Sequence, residues 1–359
     1  MKGAGTLAAG LVLVSLLLVD TVPAREPPLS KARPPSDAAP GSGARTFRRG
    51  MTVSCPGYGR IWGSPLMAEA LDELGALGVG WVALHPYAGV RRDGSVRFDP
   101  AAGTGYLDRS VELARERGIE LFWKPHLAYW GSFEWRGAIE FGADSWRWER
   151  FFAQYREFIL DQARFAERHR LPLLSVGVEL EATVHREAAW RRIIADVRAV
   201  YSGPLTYAAN WDRVGQVPFW DALDLIGVQA YFPLSAEASP SEDDLRRGWE
   251  APLAQLRELS ERHGKPVLFT EIGYDFSPAA ALEPWAGRRQ ETDANRALRR
   301  RLIAVALDVV ERQPFVEGLF WWKWIPGPYH AADDFSMRHD DAVALLRSHW
   351  SPAARITAR

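Results

Sequence analysis

The sequence predicts an α/β protein of the (β/α)8 TIM-barrel type, formed as one domain over residues 49–350. Three observations carry that expectation. Short apolar, β-favouring runs alternate with helix-period segments until eight strands have been laid down, the pattern of parallel strands joined by crossover helices. Several runs end abruptly in a polar or charged residue, as Val267–Glu271 does, and the C-terminal strand ends are where barrels gather their chemistry. The rival, a doubly wound open sheet, shows a Gly-rich phosphate turn after an early strand. Here the first strand runs into Cys55-Pro-Gly-Tyr-Gly59, which has neither that spacing nor a helix entry.

Taken in order, Arg49–Ser54 is a first short strand, and Ser64-Pro65 starts a helix to Leu77 with Leu66, Ala70, Leu74 and Leu77 on one face. Val79–His85 is the second strand, closed by Pro86. Tyr106–Arg117 is a helix stopped by Gly118, and Ile119–Lys124 the third strand, running into Pro125-His126. Residues 127–144 read as a long loop holding Trp130, Phe133 and Trp135, and loops of that length tend to carry function. Trp148, Phe151, Phe152, Tyr155, Phe158, Ile159, Gln162 and Phe165 then recur at helical spacing, a stripe assigned to packing rather than to a ligand. Leu173–Val178 is the fourth strand and ends in Glu179. A helix spans Glu187–Val200; Leu205–Ala209 is the fifth strand, ending in Asn210-Trp211, and Leu225–Tyr231 the sixth. Only a short helix near residues 218–222 fits between those two strands. The helix Ser241–Arg262, strand seven (Val267–Glu271), the helix Thr292–Glu311, strand eight (Gly318–Trp324) and a last helix, Asp341–His349, complete the alternation.

Outside the barrel, Lys2, the apolar run Leu11–Val19 and Val22-Pro23-Ala24 have the layout of a signal peptide over residues 1–24. Export, secreted or periplasmic, is therefore expected, with an uncleaved membrane anchor as the alternative. Residues 25–48, rich in Pro, Ala and Ser, read as a linker, and residues 351–359 as a C-terminal tail. A net charge of −1 over 359 residues gives no electrostatic footprint for nucleic acid or an anionic membrane. Cys55 is the only cysteine, so the chain has neither an internal disulfide nor a Cys-based zinc cluster. No Walker loop, zinc-binding His pair or Gly-x-Ser-x-Gly elbow occurs, and no metal or organic cofactor is expected. Oligomeric state leaves no signature.

Glu179 ends the fourth strand and Glu271 the seventh, positions that approach each other across a barrel mouth. An acid closing a buried run is costly unless it is paired or has work to do. Two carboxylates flanking one bond are what glycoside hydrolysis requires: one protonates the leaving oxygen, the other attacks or activates water. Glu181 is the competitor for the first position, and Glu179 is preferred because it terminates the apolar run. His85, Lys124 and His126 end strands two and three and are candidates for binding sugar hydroxyls, although each His reads equally well as a satisfied core or capping residue. Lys124 stands out among only five lysines. Trp322, or Trp324 on the same strand face, could floor the subsite of the scissile bond, with Trp321 turned to the helices. Asp333-Asp334 and Asp340-Asp341 read as solvated charges.

Val-Gly-Val-Glu-Leu (176–180), Thr-Tyr-Ala-Ala-Asn-Trp (206–211), Phe-Trp-Asp-Ala-Leu-Asp-Leu-Ile-Gly-Val-Gln-Ala-Tyr-Phe-Pro-Leu (219–234), Phe-Thr-Glu-Ile-Gly-Tyr (269–274) and Phe-Trp-Trp-Lys-Trp (320–324) together resemble glycoside hydrolase family 113. These are retaining β-mannanases within a large clan of barrel hydrolases. The resemblance implies an oligo- or polysaccharide substrate, Glu179 as acid/base, Glu271 as nucleophile, and Tyr231 as the tyrosine that donates to the nucleophile. Many clan members carry Asn directly before the acid/base to hold the sugar 2-hydroxyl. Val178 stands there instead, which makes Asn210, with Trp211 beside it, the candidate for substrate binding. A hydrolase of another β-glycoside and a non-catalytic glycan-binding barrel remain the alternatives, and endo or exo cleavage stays open.

Overall fold

The computed structural model describes residues 47–55, 57–237, 239–328 and 333–351. The signal-peptide expectation lies outside them, as do all but the last two residues of the linker and all but the first of the tail.

The chain lays down β1 (Arg48–Val53), α1 (Pro65–Ala76), β2 (Trp81–Leu84), β3 (Tyr87–Val90), β4 (Val96–Arg97) and α2 (Gly105–Glu116). There follow β5 (Glu120–Trp123), β6 (His126–Ala128), α3 (Ser145–Arg168), β7 (Leu173–Val178), α4 (Glu187–Arg198), β8 (Leu205–Asn210) and β9 (Leu225–Gln229). The last are α5 (Glu242–His263), β10 (Val267–Ile272), α6 (Asp293–Glu311), β11 (Val316–Trp324) and α7 (Asp340–Trp350). Eight strands close into a parallel barrel in the order β1-β11-β10-β9-β8-β7-β5-β2, so the predicted (β/α)8 TIM barrel is the fold. The connection between β8 and β9 carries only 3-10 turns, as its brevity suggested.

Two apolar layers hold the barrel. Inside it, Ala83, Phe122, Leu173, Leu225, Leu268 and Phe320 form their own buried cluster, with Phe122 and Phe320 packed at 5.1 Å between ring centroids. Gly50 on β1 makes room for this filling, because a Cβ there would fall 2.4 Å from the Phe320 ring. Outside, the strands' other faces meet the helices in one large cluster. The aromatic stripe of α3 is part of it: Phe151, Tyr155, Phe158 and Phe165 are buried, and the Tyr155 hydroxyl donates to the Val176 carbonyl at 2.9 Å. Gln162 sits in that stripe for a reason, accepting from the Trp123 indole at 2.9 Å, so neither buried polar group is left unpaired. Local signals set the helix ends. Ser241 caps α5 in a reciprocal box with Asp244, and Gly264 closes it with a φ of 61°.

The region after β2 and β5 differs from expectation. Residues 87–90, 96–97 and 126–128 build a small second sheet in the order β4-β3-β6, with Tyr87 opposite His126. Its strands are too short to show a pattern in the sequence. The sheet lies where the second and third barrel strands exit, and it fixes the start of the loop that reaches the barrel mouth.

Candidate active site

A cleft of about 970 Å³ opens at the C-terminal ends of the strands, and both Glu179 and Glu271 line it. Glu271 is the fifth residue of β10 and only 4% exposed. Its two oxygens are held separately. Lys124, fully buried at the end of β5, pairs with Oε1, and the Tyr231 hydroxyl donates to Oε2 at 3.0 Å. The Lys124 ammonium also donates to the Thr270 carbonyl at 3.0 Å, which ties it to the strand carrying its partner. Burial pushes the Tyr231 hydroxyl well above its usual range, with the charges of Glu271 and Glu179 adding to the effect, so it remains a donor.

Glu179 follows directly on β7 with a left-handed φ of 54°, and its N–H donates to the Ala208 carbonyl at 2.8 Å. A non-glycine residue there is strained, and strain of this kind clusters at functional sites. Arg136, from the loop after β6, forms an ion pair with Oε2 of Glu179. Burial raises the Glu179 pKa and the Glu271 charge pushes it further, against the opposing pull of Arg136 and Lys124. Thus one carboxylate is held by Lys124 and a phenol, while the other, paired with Arg136, has its pKa raised chiefly by burial.

The remaining predicted residues fall in three groups. His126, Asn210, Trp211, Tyr231 and Trp322 line the cleft. His85 and Lys124 do not: they lie behind its wall, which corrects the expectation that they meet sugar hydroxyls directly. Lys124 is engaged by Glu271. His85 stacks on His126 at 4.9 Å between centroids and packs edge-on against Trp62 and Tyr87. Burial drives both imidazoles well below their usual pKa, with nearby cations adding to it, so both are neutral, and among the described residues no side chain or carbonyl pairs with a ring nitrogen of either. Asn210 donates to Glu181 at 3.3 Å, and Glu181 also pairs with Arg213 at 2.6 Å, so Glu181 sits in a different ion pair from Glu179. Val178 is buried in the barrel wall.

On β11 the alternation holds. Trp321 is buried towards the helices and Trp322 lines the cleft, with a cis peptide to Lys323. Trp324 is buried beneath Arg338, so it provides no floor. Asp333 is not simply solvated, since it pairs with Lys323 at 2.8 Å. No sequence signal marks Arg136 or Tyr87. The aromatic loop marked a functional region, but nothing in its spacing singled out Arg136, and Tyr87 belongs to the small sheet. Among the described residues no cluster of three or more His, Cys, Asp or Glu side chains could hold a metal ion.

The sequence profile of Glycoside Hydrolase Family 113 matches residues 51–341. Among solved structures, a complex of a GH113 beta-1,4-mannanase superposes with a TM-score of 0.75 at 21% identity, covering 86% of this chain and 99% of that one. The GH113 beta-mannanase AaManA from Alicyclobacillus acidocaldarius, in complex with ManMIm, is 28% identical with a TM-score of 0.69, covering 88% and 96%. Among curated proteins no match is found. With the profile spanning nearly the whole barrel and both strand-end carboxylates within it, the chain belongs to glycoside hydrolase family 113, which implies a carbohydrate substrate.

Proposed function

We propose that this protein is a retaining glycoside hydrolase of the endo-β-mannanase kind, cleaving β-1,4-linked mannose units by double displacement. The observation that carries the reading is the unequal treatment of two strand-end carboxylates in one cleft. Glu271 is buried with one oxygen paired to Lys124 and the other accepting from the Tyr231 hydroxyl, which fixes the orientation of its carboxylate for attack. Glu179 has its pKa raised by burial and by the Glu271 charge, the environment of a general acid. In the first step Glu179 gives its proton to the glycosidic oxygen while a Glu271 oxygen attacks the anomeric carbon and the leaving sugar departs. In the second, water attacks that carbon, its proton passes to Glu179, and the bond to Glu271 breaks. Loss of the Glu271 charge in the intermediate removes a repulsion and leaves Glu179 fit to act as base. The carboxylates and water suffice, so no cofactor enters.

Mannose as the sugar is supported by the likeness to the GH113 beta-mannanase AaManA at 28% identity. Val178, in place of the Asn that many barrel hydrolases carry there, favours a second reading, a hydrolase of another β-glycoside on the same fold. Incubation with a panel of β-linked oligosaccharides, followed by NMR of the first-formed anomer, separates the two readings. Release of β-anomeric products from mannooligosaccharides supports the first; hydrolysis of a different glycoside alone supports the second. Glycan binding without any product would instead indicate a non-catalytic barrel. The leader-like residues 1–24 support export as the setting of this activity.

A further inference from the structure

Arg136 begins the 3-10 turn Arg136–Ala138 and is only 8% exposed, unusual burial for a loop arginine. Its Nε donates to the Leu127 carbonyl at 3.0 Å, and its guanidinium lies 5.8 Å from the centre of the Tyr129 ring. The fork is therefore fixed before it meets Glu179. The groups around Glu179 are Arg136 from this loop, Lys124 directly after β5, Glu271 from β10, the Gln229 amide from β9, Glu181 two residues on, and the hydroxyls of Tyr207 and Tyr231. Lys124 is committed to Glu271, so the direct counter-ion of Glu179 is Arg136.

A cation on a general acid works against the protonation that the first half-reaction needs. It suits the second half, in which Glu179 must be an ionised, oriented base when water attacks. We propose that Arg136 is a positioning residue that sets the protonation of Glu179, holding a carboxylate ready for the base step and lowering the pH at which the acid step shuts off. This rests on the retaining reading above, and the first test is chosen to need no substrate.

The carboxyl carbon of Glu179 is titrated by 13C NMR in protein labelled at glutamate, with E179Q assigning the resonance. Removing a nearby cation raises a carboxyl pKa, so R136Q should titrate higher than the wild type by about one pH unit or more. R136K, which keeps the charge, should titrate near the wild type, and R136M is a second uncharged variant should R136Q not fold. With an active substrate, R136Q should also move two limbs upward: the alkaline limb of kcat/KM for a poor leaving group, and the acidic limb of kcat for a dinitrophenyl glycoside, where the base step limits. An unmoved or lowered Glu179 titration in the uncharged variants overturns the proposal, even if the protein hydrolyses glycans. A raised titration in a protein that hydrolyses none upholds the pairing and overturns the functional reading instead. A uniform loss of rate with both limbs unmoved identifies Arg136 as merely a loop anchor.

Discussion

Lys124 shows what a single residue can and cannot reveal. Its rarity and its place at a strand end marked it in the sequence, but as a sugar ligand, because the partner that claims it lies 147 residues away on β10. Replacing it with methionine keeps the volume and leaves Glu271 buried without its cation, which is expected to cost about 3–5 kcal/mol of stability in urea denaturation. A loss under 1 kcal/mol would mean that Glu271 finds another partner. Tyr231, by contrast, occupies the place expected of it. Y231F deletes one hydrogen bond to a charged group, worth roughly 1.5–3 kcal/mol, and should lower kcat about ten- to a hundredfold with the fold unchanged by circular dichroism. The raised pKa of Glu179 has a consequence with a definite sign. The acid step needs the proton, and the protonated fraction falls as pH rises through that pKa, so kcat/KM should decline on the alkaline side at a pH above the ordinary carboxylate range. A limb near pH 4 would contradict the environment described for Glu179.

At the scale of elements, the eight barrel strands were legible because parallel strands are buried on both faces and read as unbroken apolar runs. Val267–Ile272 and Leu173–Val178 are buried along their whole length, and both are legible nearly to the residue. The small sheet was not legible: β4 has two residues and β6 three, and what holds them is pairing with β3 rather than any pattern of their own. That sheet starts the loop that delivers Arg136, which is why this part of the site is not legible either. Packing within the barrel is open to a direct test. F320A empties the centre of the inner cluster, where Gly50 leaves no backbone slack, and should cost about 3–5 kcal/mol in chemical denaturation.

For the molecule as a whole, the closed barrel is what turns distant residues into a site. Glu179 and Glu271 leave strands that lie three places apart in the ring, and the cleft between them is walled by loops from both halves of the barrel. The two acids could be picked out from the sequence by strand counting, because their spacing along the ring follows from the fold. Their counter-ions could not, because Lys124 and Arg136 answer to contacts across the mouth rather than to any local signal. The central claim is that Glu271 forms the covalent intermediate, and one measurement addresses it directly. The protein is incubated with a 2,4-dinitrophenyl 2-deoxy-2-fluoro-β-mannoside, or the corresponding disaccharide, then digested and sequenced by mass spectrometry. A single glycosyl adduct on Glu271 is expected, slow to hydrolyse and absent from E271Q; an adduct on any other residue, or glycan hydrolysis with inverted products, would contradict the account.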